Sequence, residues 1–210
     1  MPVSGGFYES RVFPWLNDRL NADPALVTIR ADAVSHAHGR VVEIGFGSGL
    51  NLAHYPSAVQ SLVAVEPNSG MRSRARARIA ASRFAVELIE GTAERMPLAD
   101  DGFDTAVSTL TLCTVADPAR ALAELRRVLR PDGRLLLMEH GLAEDDGVVR
   151  WQRRLNGVQR IVACGCNLNR LIADLVQAHG FRFESLRRFY APGMPRTHGW
   201  VTVGVAAKSA

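Results

Sequence analysis

Apolar residues along the chain fall into two patterns. Five short runs, Arg40–Gly45 (RVVEIG), Leu62–Pro67 (LVAVEP), Phe84–Glu90, Phe103–Leu110 and Arg134–His140 (RLLLMEH), are rich in branched side chains and bounded by turn residues. Most are apolar on both faces, the pattern of strands buried in a parallel sheet. Between them lie segments of helical period. Asn68 caps a helix over Ser69–Ala81, and Asp117-Pro118 opens another that stops before the turn Arg130-Pro131-Asp132-Gly133. Helical patterns at Phe13–Leu20 and Pro24–His38 precede the first strand. Two more, Gly147–Ala163 and Asn169–His179, follow the fifth, with Gly180 ending the second. Phe181–Tyr190 and Val201–Ala207 read as a closing strand pair. The chain shows no repeats. The expected architecture is α/β, a seven-stranded, mostly parallel sheet with helices on both faces. Residues 1–38 are expected to form a helical lid segment and 39–210 the main domain.

In such sheets ligands bind beyond the carboxyl ends of the strands, near the point where strand order reverses. Strand ends therefore nominate the site: Gly45–Gly49, Glu66, Thr92-Ala93-Glu94, Thr109–Cys113 and Glu139-His140. The first is a loop spaced E-x-G-x-G-x-G, with Glu43, Gly45, Gly47 and Gly49. It misses the dinucleotide fingerprint G-x-G-x-x-G by one residue, since Leu50 stands where the third glycine belongs, and no Gly-Lys-Ser/Thr follows. The loop admits a ligand to the backbone but is not a polyphosphate cradle. Glu66, about twenty residues on, is placed to accept hydrogen bonds from ribose hydroxyls. Glu43 is a carboxylate inside a central strand. It must be paired, either as a structural acid fixing the loop or as one reaching a ligand ammonium through water.

Composition narrows the class. Of 210 residues, 47% are apolar and 22% charged, which suits a globular domain. The net charge of +4 is carried by arginines spread along the chain (Lys208 is the only lysine), so no nucleic-acid partner is expected. The cysteines, Cys113, Cys164 and Cys166, make an odd count, which describes no disulfide framework. Cys164-Gly-Cys166 is too close a spacing for a zinc pair, and no second pair exists, so no metal site is expected. The start, MPVSGGFYES, lacks the basic head and apolar run of a signal peptide, and no stretch is long enough to cross a bilayer. A cytoplasmic protein with reduced thiols and no stable membrane anchor is expected; oligomeric state is not legible.

These residues resemble the class I S-adenosylmethionine-dependent methyltransferases. VEIGFGSG matches the family's loop, and Glu66 in AVEPN its second-strand acid. Gly91-Thr92-Ala93-Glu94-Arg95-Met96-Pro97 matches its G-D-A-E-x-L-P motif, with Thr92 for the usual Asp. Arg127–Arg134 matches its R-V-L-R-P-G-G turn, with Asp132 for the first Gly. The resemblance covers about residues 38–140. It implies a Rossmann-like fold and S-adenosylmethionine as cofactor, held by Glu43, Gly45, Gly47, Gly49, Asn51, Glu66, Pro67, Met71, Thr92, Ala93, Glu94, Thr109 and Leu110. Methyl transfer from a cationic donor is an in-line displacement, so the protein mainly supplies proximity and orientation.

The second half is similar, in order, to methyltransferase-like proteins that methylate small alkyl thiols. The matching segments are Thr109-Leu110-Thr111-Leu112-Cys113, Met138-Glu139-His140 and Gly165-Cys166-Asn167-Leu168-Asn169-Arg170. The resemblance implies a small, largely apolar acceptor, with an alkyl thiol the first expectation. A quinone-type ring, a lipid amine, or SAM binding without transfer are the alternatives. His140 is the candidate catalytic base. Tyr8 and Trp15, from a segment that can close over the site, and Cys113, Cys166 and Asn167 are the candidate acceptor-binding residues. Glu139, next to His140, points to the other face and reads as structural.

Overall fold

The branched runs do become the sheet. In the structure, a computed structural model that describes residues 6–209, the strands are β1 (Gly39–Ile44), β2 (Val59–Val65), β3 (Ala85–Ile89), β4 (Phe103–Thr109), β5 (Leu129–His140), β6 (Phe181–Tyr190) and β7 (Trp200–Lys208). They form a single seven-stranded sheet in the order β3-β2-β1-β4-β5-β7-β6. The first five run parallel, and β7 enters antiparallel between β5 and β6. Strand order reverses between β1 and β4, so the carboxyl ends of those two strands frame the crevice.

The helices are α1 (Phe13–Asn21), α2 (Pro24–Val34), α3 (Ser69–Ala80), α4 (Pro118–Val128), α5 (Asp146–Val162), α6 (Ile172–Ala178) and the short α7 (Arg196–Gly199). Asp23, Asn68 and Asp117 each accept a backbone N–H from the first turn of the helix that follows. One face of the sheet buries Val42, Ile44, Ala106, Leu135 and Leu137 with Leu122, Leu125, Ile172 and Val176 from α4 and α6. The other buries Val41, Leu62, Val107 and Leu136 with Val34, Phe46 and Ala75.

The boundaries differ from the pattern in instructive places. The turn Arg130–Gly133 is absorbed into β5 as an irregularity, with Phe103 opposite Leu129 and Thr105 already opposite Arg134. The helix expected over Asn169–His179 begins at Ile172, because the Arg170 carbonyl is used by Leu142 N–H at 2.9 Å. A turn of π-helix, Tyr8–Val12, precedes α1 and was not expected. Within the expected lid segment, the described residues divide between the turn with α1 and the longer α2. α2 buries Leu26, Ile29 and Ala33 against Met138, Val201 and Val203, so it is part of the sheet's covering layer. The part of the expected lid at residues 1–5 lies outside the described residues, as does half of the start read for a signal peptide. Among the described residues, no helix is long and apolar enough to cross a membrane.

Candidate active site

β1 ends in the glycine loop, and its three glycines serve different neighbours. Gly45 and Gly47 share a left-handed backbone, φ +59° and +60°. A Cβ on Gly45 would overlap the Thr111 side chain, whose hydroxyl lies 3.2 Å from the Ile44 carbonyl. A Cβ on Gly49 would press on Phe46 and Leu52. At Gly47 the nearest described atom to a Cβ is the Gly45 carbonyl, at 3.8 Å. Only Gly47 leaves a cradle that a side chain would fill and a ligand can use.

Glu66, just past β2, faces that cradle. It accepts from Gly47 N–H at 2.7 Å and Asn68 N–H at 2.8 Å. Burial raises its pKa, and the two backbone donors oppose that shift. Each carboxylate oxygen takes one of these bonds and keeps acceptor capacity for a hydroxyl. Bare backbone at Gly47 beside an acceptor at Glu66 fits a ligand with an aminoacyl end and a ribose diol. Pro67 and Met71 follow at the mouth of α3, Met71 buried with its N–H on the Asn68 side chain. Thr92 forms a bridge with Arg95, Ala93 is buried, and Leu110 takes a left-handed φ of 54° past β4 with its N–H on the Met138 carbonyl.

Four residues expected to touch a cofactor are engaged elsewhere. Glu43 is 1% exposed and accepts from Asn51 Nδ2 and Tyr55 OH, both at 2.7 Å. Burial pushes its carboxyl up to about 7, against the Tyr55, Arg30 and Asn51 contacts. Arg30 donates to Asn51 Oδ1 at 2.7 Å and Thr109 Oγ1 at 3.3 Å, closing a buried network of Arg30, Glu43, Asn51, Tyr55 and Thr109. Glu43 is thus the structural acid of the two alternatives, with Asn51 and Thr109 as its companions. Glu94 accepts from Ala116 and Asp117 N–H, holding the turn before α4. Sequence reasoning missed Arg30 and Tyr55. A signal existed for Arg30, a cation at the helical spacing of Leu26, Ile29 and Ala33.

Beyond β4 and β5 the expected acceptor residues converge. Glu139 accepts from Ser108 Oγ and from Thr111, Leu112 and Cys113 N–H. Arg170 binds the Leu112 and Val115 carbonyls. The loop carrying Cys113 is therefore pinned from both sides. Asn167 adds its N–H and Nδ2 to the Cys113 carbonyl, at 2.9 and 3.0 Å. Cys166 Sγ lies 2.9 Å from His140 Nε2 and 3.9 Å from Cys113 Sγ. Contact with Cys113 and burial push the Cys166 thiol well up, so it is protonated at neutral pH. His140 Nδ1 is buried and has no partner among the described residues. The candidate base thus meets a protein thiol at Nε2. Burial, and the charge of Glu9 nearby, raise the Cys164 thiol to about 11.

The N-terminal segment bridges the crevice. Asn68 Nδ2 donates to the Glu9 carbonyl, and Tyr8 OH donates to the Val162 carbonyl at the end of α5. Asp18 accepts from Ser48 Oγ in the glycine loop and pairs with Arg74 and Arg78 of α3. Trp15 does not reach the acceptor residues. Pro14 takes the buried position of that turn, and Trp15, 55% exposed, lines an outer groove with Asp18, Leu20 and Arg74.

The comparisons with known proteins agree with this geometry. A family model described as a methyltransferase domain matches residues 42–137. The rat thiol S-methyltransferase TMT1B is 34% identical over 135 residues, 62% of this chain and 54% of that protein. The human thiol S-methyltransferase TMT1A is 31% identical over 156 residues, 72% and 64% of the two chains. The chain thus spans between half and two thirds of the length of these relatives. A crystal structure from Thermotoga maritima, titled a SAM-dependent methyltransferase and possible histamine N-methyltransferase, superposes with a TM-score of 0.72 at 24% identity, covering 97% of this chain and all of that one. With its loop, strand order and matched segment, the chain carries a methyltransferase domain with the fold of the class I S-adenosylmethionine-dependent methyltransferases.

Proposed function

We propose that the chain methylates a small, largely apolar thiol. The observation that carries this reading is the convergence of Cys113, His140 and Cys166 beyond β4 and β5, with Cys113 on the loop whose Thr111 touches the glycine turn. An amine acceptor calls for a free carboxylate. The acid at this position, Glu139, already accepts from one hydroxyl and three backbone N–H groups. Cys113, His140 and Cys166 offer sulfur and imidazole there instead. The names of the TMT1 relatives support the same acceptor class.

S-adenosylmethionine supplies a methyl group already activated on a sulfonium. Gly47 accommodates the aminoacyl end against bare backbone, and Glu66 accepts from the ribose hydroxyls. The Tyr8–Val12 turn and α1 exclude water by bridging α3 to α5. The loop of Leu110–Cys113, fixed by Glu139 and Arg170, would orient the acceptor toward the bound methyl donor, a proximity effect that can reach ~7–11 kcal/mol. The acceptor attacks as thiolate. An ordinary thiol, pKa ≈ 8.5, is only a few per cent ionised at neutral pH, so its ionisation limits the rate unless the site assists it.

The test is incubation of the full chain with methyl-labelled S-adenosylmethionine and a panel of alkyl thiols, quinols and lipid amines. The expected product is a labelled alkyl thioether. Label on a quinol or amine, with none on any thiol, overturns the reading.

A further inference from the structure

The three acceptor-side residues have a property that the methyl-transfer reading does not use. Cys113 Sγ, His140 Nε2 and Cys166 Sγ come from three separate segments, yet a single ligand atom from each residue lies within 4.8 Å of the other two. A tetrahedral ion with bonds of ~2.3 Å to sulfur and ~2.1 Å to nitrogen sets its sulfurs roughly 3.8 Å apart and sulfur and nitrogen roughly 3.6 Å apart. The sulfurs already stand at 3.9 Å, and the imidazole at 2.9 Å needs to back away by a fraction of an ångström.

Two further observations point to a ligand here. The imidazole of His140 finds a thiol at Nε2 and nothing at Nδ1 among the described residues. The thiol is therefore the one contact at Nε2, and no stronger hydrogen-bond partner competes there with an ion seated between the ring and the two sulfurs. The cysteine backbones are also pre-set. Asn167 holds the Cys113 carbonyl with two donors, Glu139 accepts the Cys113 N–H, and Thr114 Oγ1 sits 3.4 Å from Cys113 Sγ. Such outer contacts orient ligands and tune affinity.

We propose that Cys113, His140 and Cys166 form a zinc site with an open fourth position that takes the acceptor thiol. The donor set is two sulfurs and one nitrogen, which suits a borderline-soft, redox-inert ion, and three protein ligands are the pattern of sites that keep a position for substrate. The coordinating half of the inference rests on the thiol reading above; the metal site does not. A thiol bound to the ion loses its proton to solvent and stays a thiolate at neutral pH. Its lone pair then forms the new carbon–sulfur bond, while the methyl–sulfonium bond breaks and its electron pair stays on the departing sulfur, leaving S-adenosylhomocysteine. The resulting thioether carries no charge and is released from the ion. In this arrangement His140 serves as a ligand.

The full chain, stripped with chelator and kept reduced with a phosphine, is titrated with zinc, and separately with cobalt(II) for its spectrum. One zinc per chain is expected to survive desalting. The cobalt form should show sulfur-to-metal charge transfer, and zinc K-edge absorption of the unsubstituted protein should report two sulfurs and one imidazole from the chain. C113S and C166S should each weaken binding by about tenfold or more, with C164S unchanged. Sub-stoichiometric zinc, or a K-edge spectrum without sulfur, overturns the site whatever the variants do. Ethanethiol should then shift the charge-transfer band. An unmoved band with metal bound overturns the coordinating role and leaves the site. Thiol methylation at full rate by metal-free protein overturns the zinc mechanism and leaves the thiol reading. Stoichiometric metal with no methylated thiol overturns that reading and leaves the site.

Discussion

Gly45 and Gly47 have the same backbone conformation and different surroundings, so one substitution made at both separates fold from function. Alanine in a left-handed conformation costs roughly 1–2 kcal/mol at either position. At Gly47 there is little more to lose, because a Cβ comes no nearer than 3.8 Å to any described atom outside its immediate neighbours. At Gly45 the Cβ overlaps Thr111, so the side chain that bridges the Ile44, Gly45 and Thr109 carbonyls must move. Overpacking of this kind adds about 1–3 kcal/mol. In a domain of this size each kcal/mol shifts the melting temperature by ~2–4 °C. Gly47→Ala is expected to lower Tm by a few degrees and to weaken S-adenosylhomocysteine at least ~10-fold, a loss of about 1.4 kcal/mol of binding. Gly45→Ala is expected to lower Tm about twice as far. Thermal unfolding and calorimetric titration of the two variants measure both quantities. Equal Tm losses, or an unchanged affinity in Gly47→Ala, would refute the division of labour within the loop.

Glu66→Ala should weaken the same ligand by several-fold to a hundredfold, since a hydrogen bond to a charged group is worth ~1.5–3 kcal/mol; an unaltered Kd in calorimetry removes Glu66 from the ribose. Glu139→Ala leaves a hydroxyl and three buried N–H groups without an acceptor and should cost at least ~3 kcal/mol in urea unfolding, while Glu144→Ala, exposed and ion-paired, should cost under ~1 kcal/mol. Glu43 has its folded-state pKa raised to about 7. Its contribution is therefore fully present below the ordinary carboxyl pKa and lost as pH rises through about 7, up to ~3 kcal/mol in all. Glu43→Gln should flatten the stability profile across that window, and urea midpoints measured across it check the point. Asp18→Ala removes the acceptor joining α1 to the glycine loop and α3, and should speed proteolytic cleavage within residues 6–22; an unchanged cleavage rate would show that other contacts hold the segment.

Much of the candidate site was legible because strand ends are legible. Apolar runs locate the sheet, and the sheet's geometry makes the residue after each run a candidate. Gly47, Glu66, Cys113 and His140 all follow from that rule. What the sequence could not separate was ligand-facing from protein-facing. The three loop glycines read alike, and only the fold shows that Gly45 is bare for Thr111. Glu43, Asn51 and Thr109 read as cofactor residues, and their partners Arg30 and Tyr55 come from segments the motif does not cover. Spacing arguments looked for metal ligands close together in sequence. Cys113 and Cys166 are 53 residues apart and meet only because β4 and the turn after α5 end at the same edge of the crevice. Trp15 shows the reverse error. An aromatic residue in a closing segment is a fair acceptor contact, but helical phase turns it outward.

A crystal structure of the chain with S-adenosylhomocysteine and an alkyl thiol bears on all of this at once. The expected result has the amino-acid end against Gly47, the ribose on Glu66, and the thiol sulfur facing the ligand's sulfur from beside Cys113, His140 and Cys166. A ligand seated elsewhere, with Glu66 making only its two backbone contacts and the thiol remote from His140, would contradict the account.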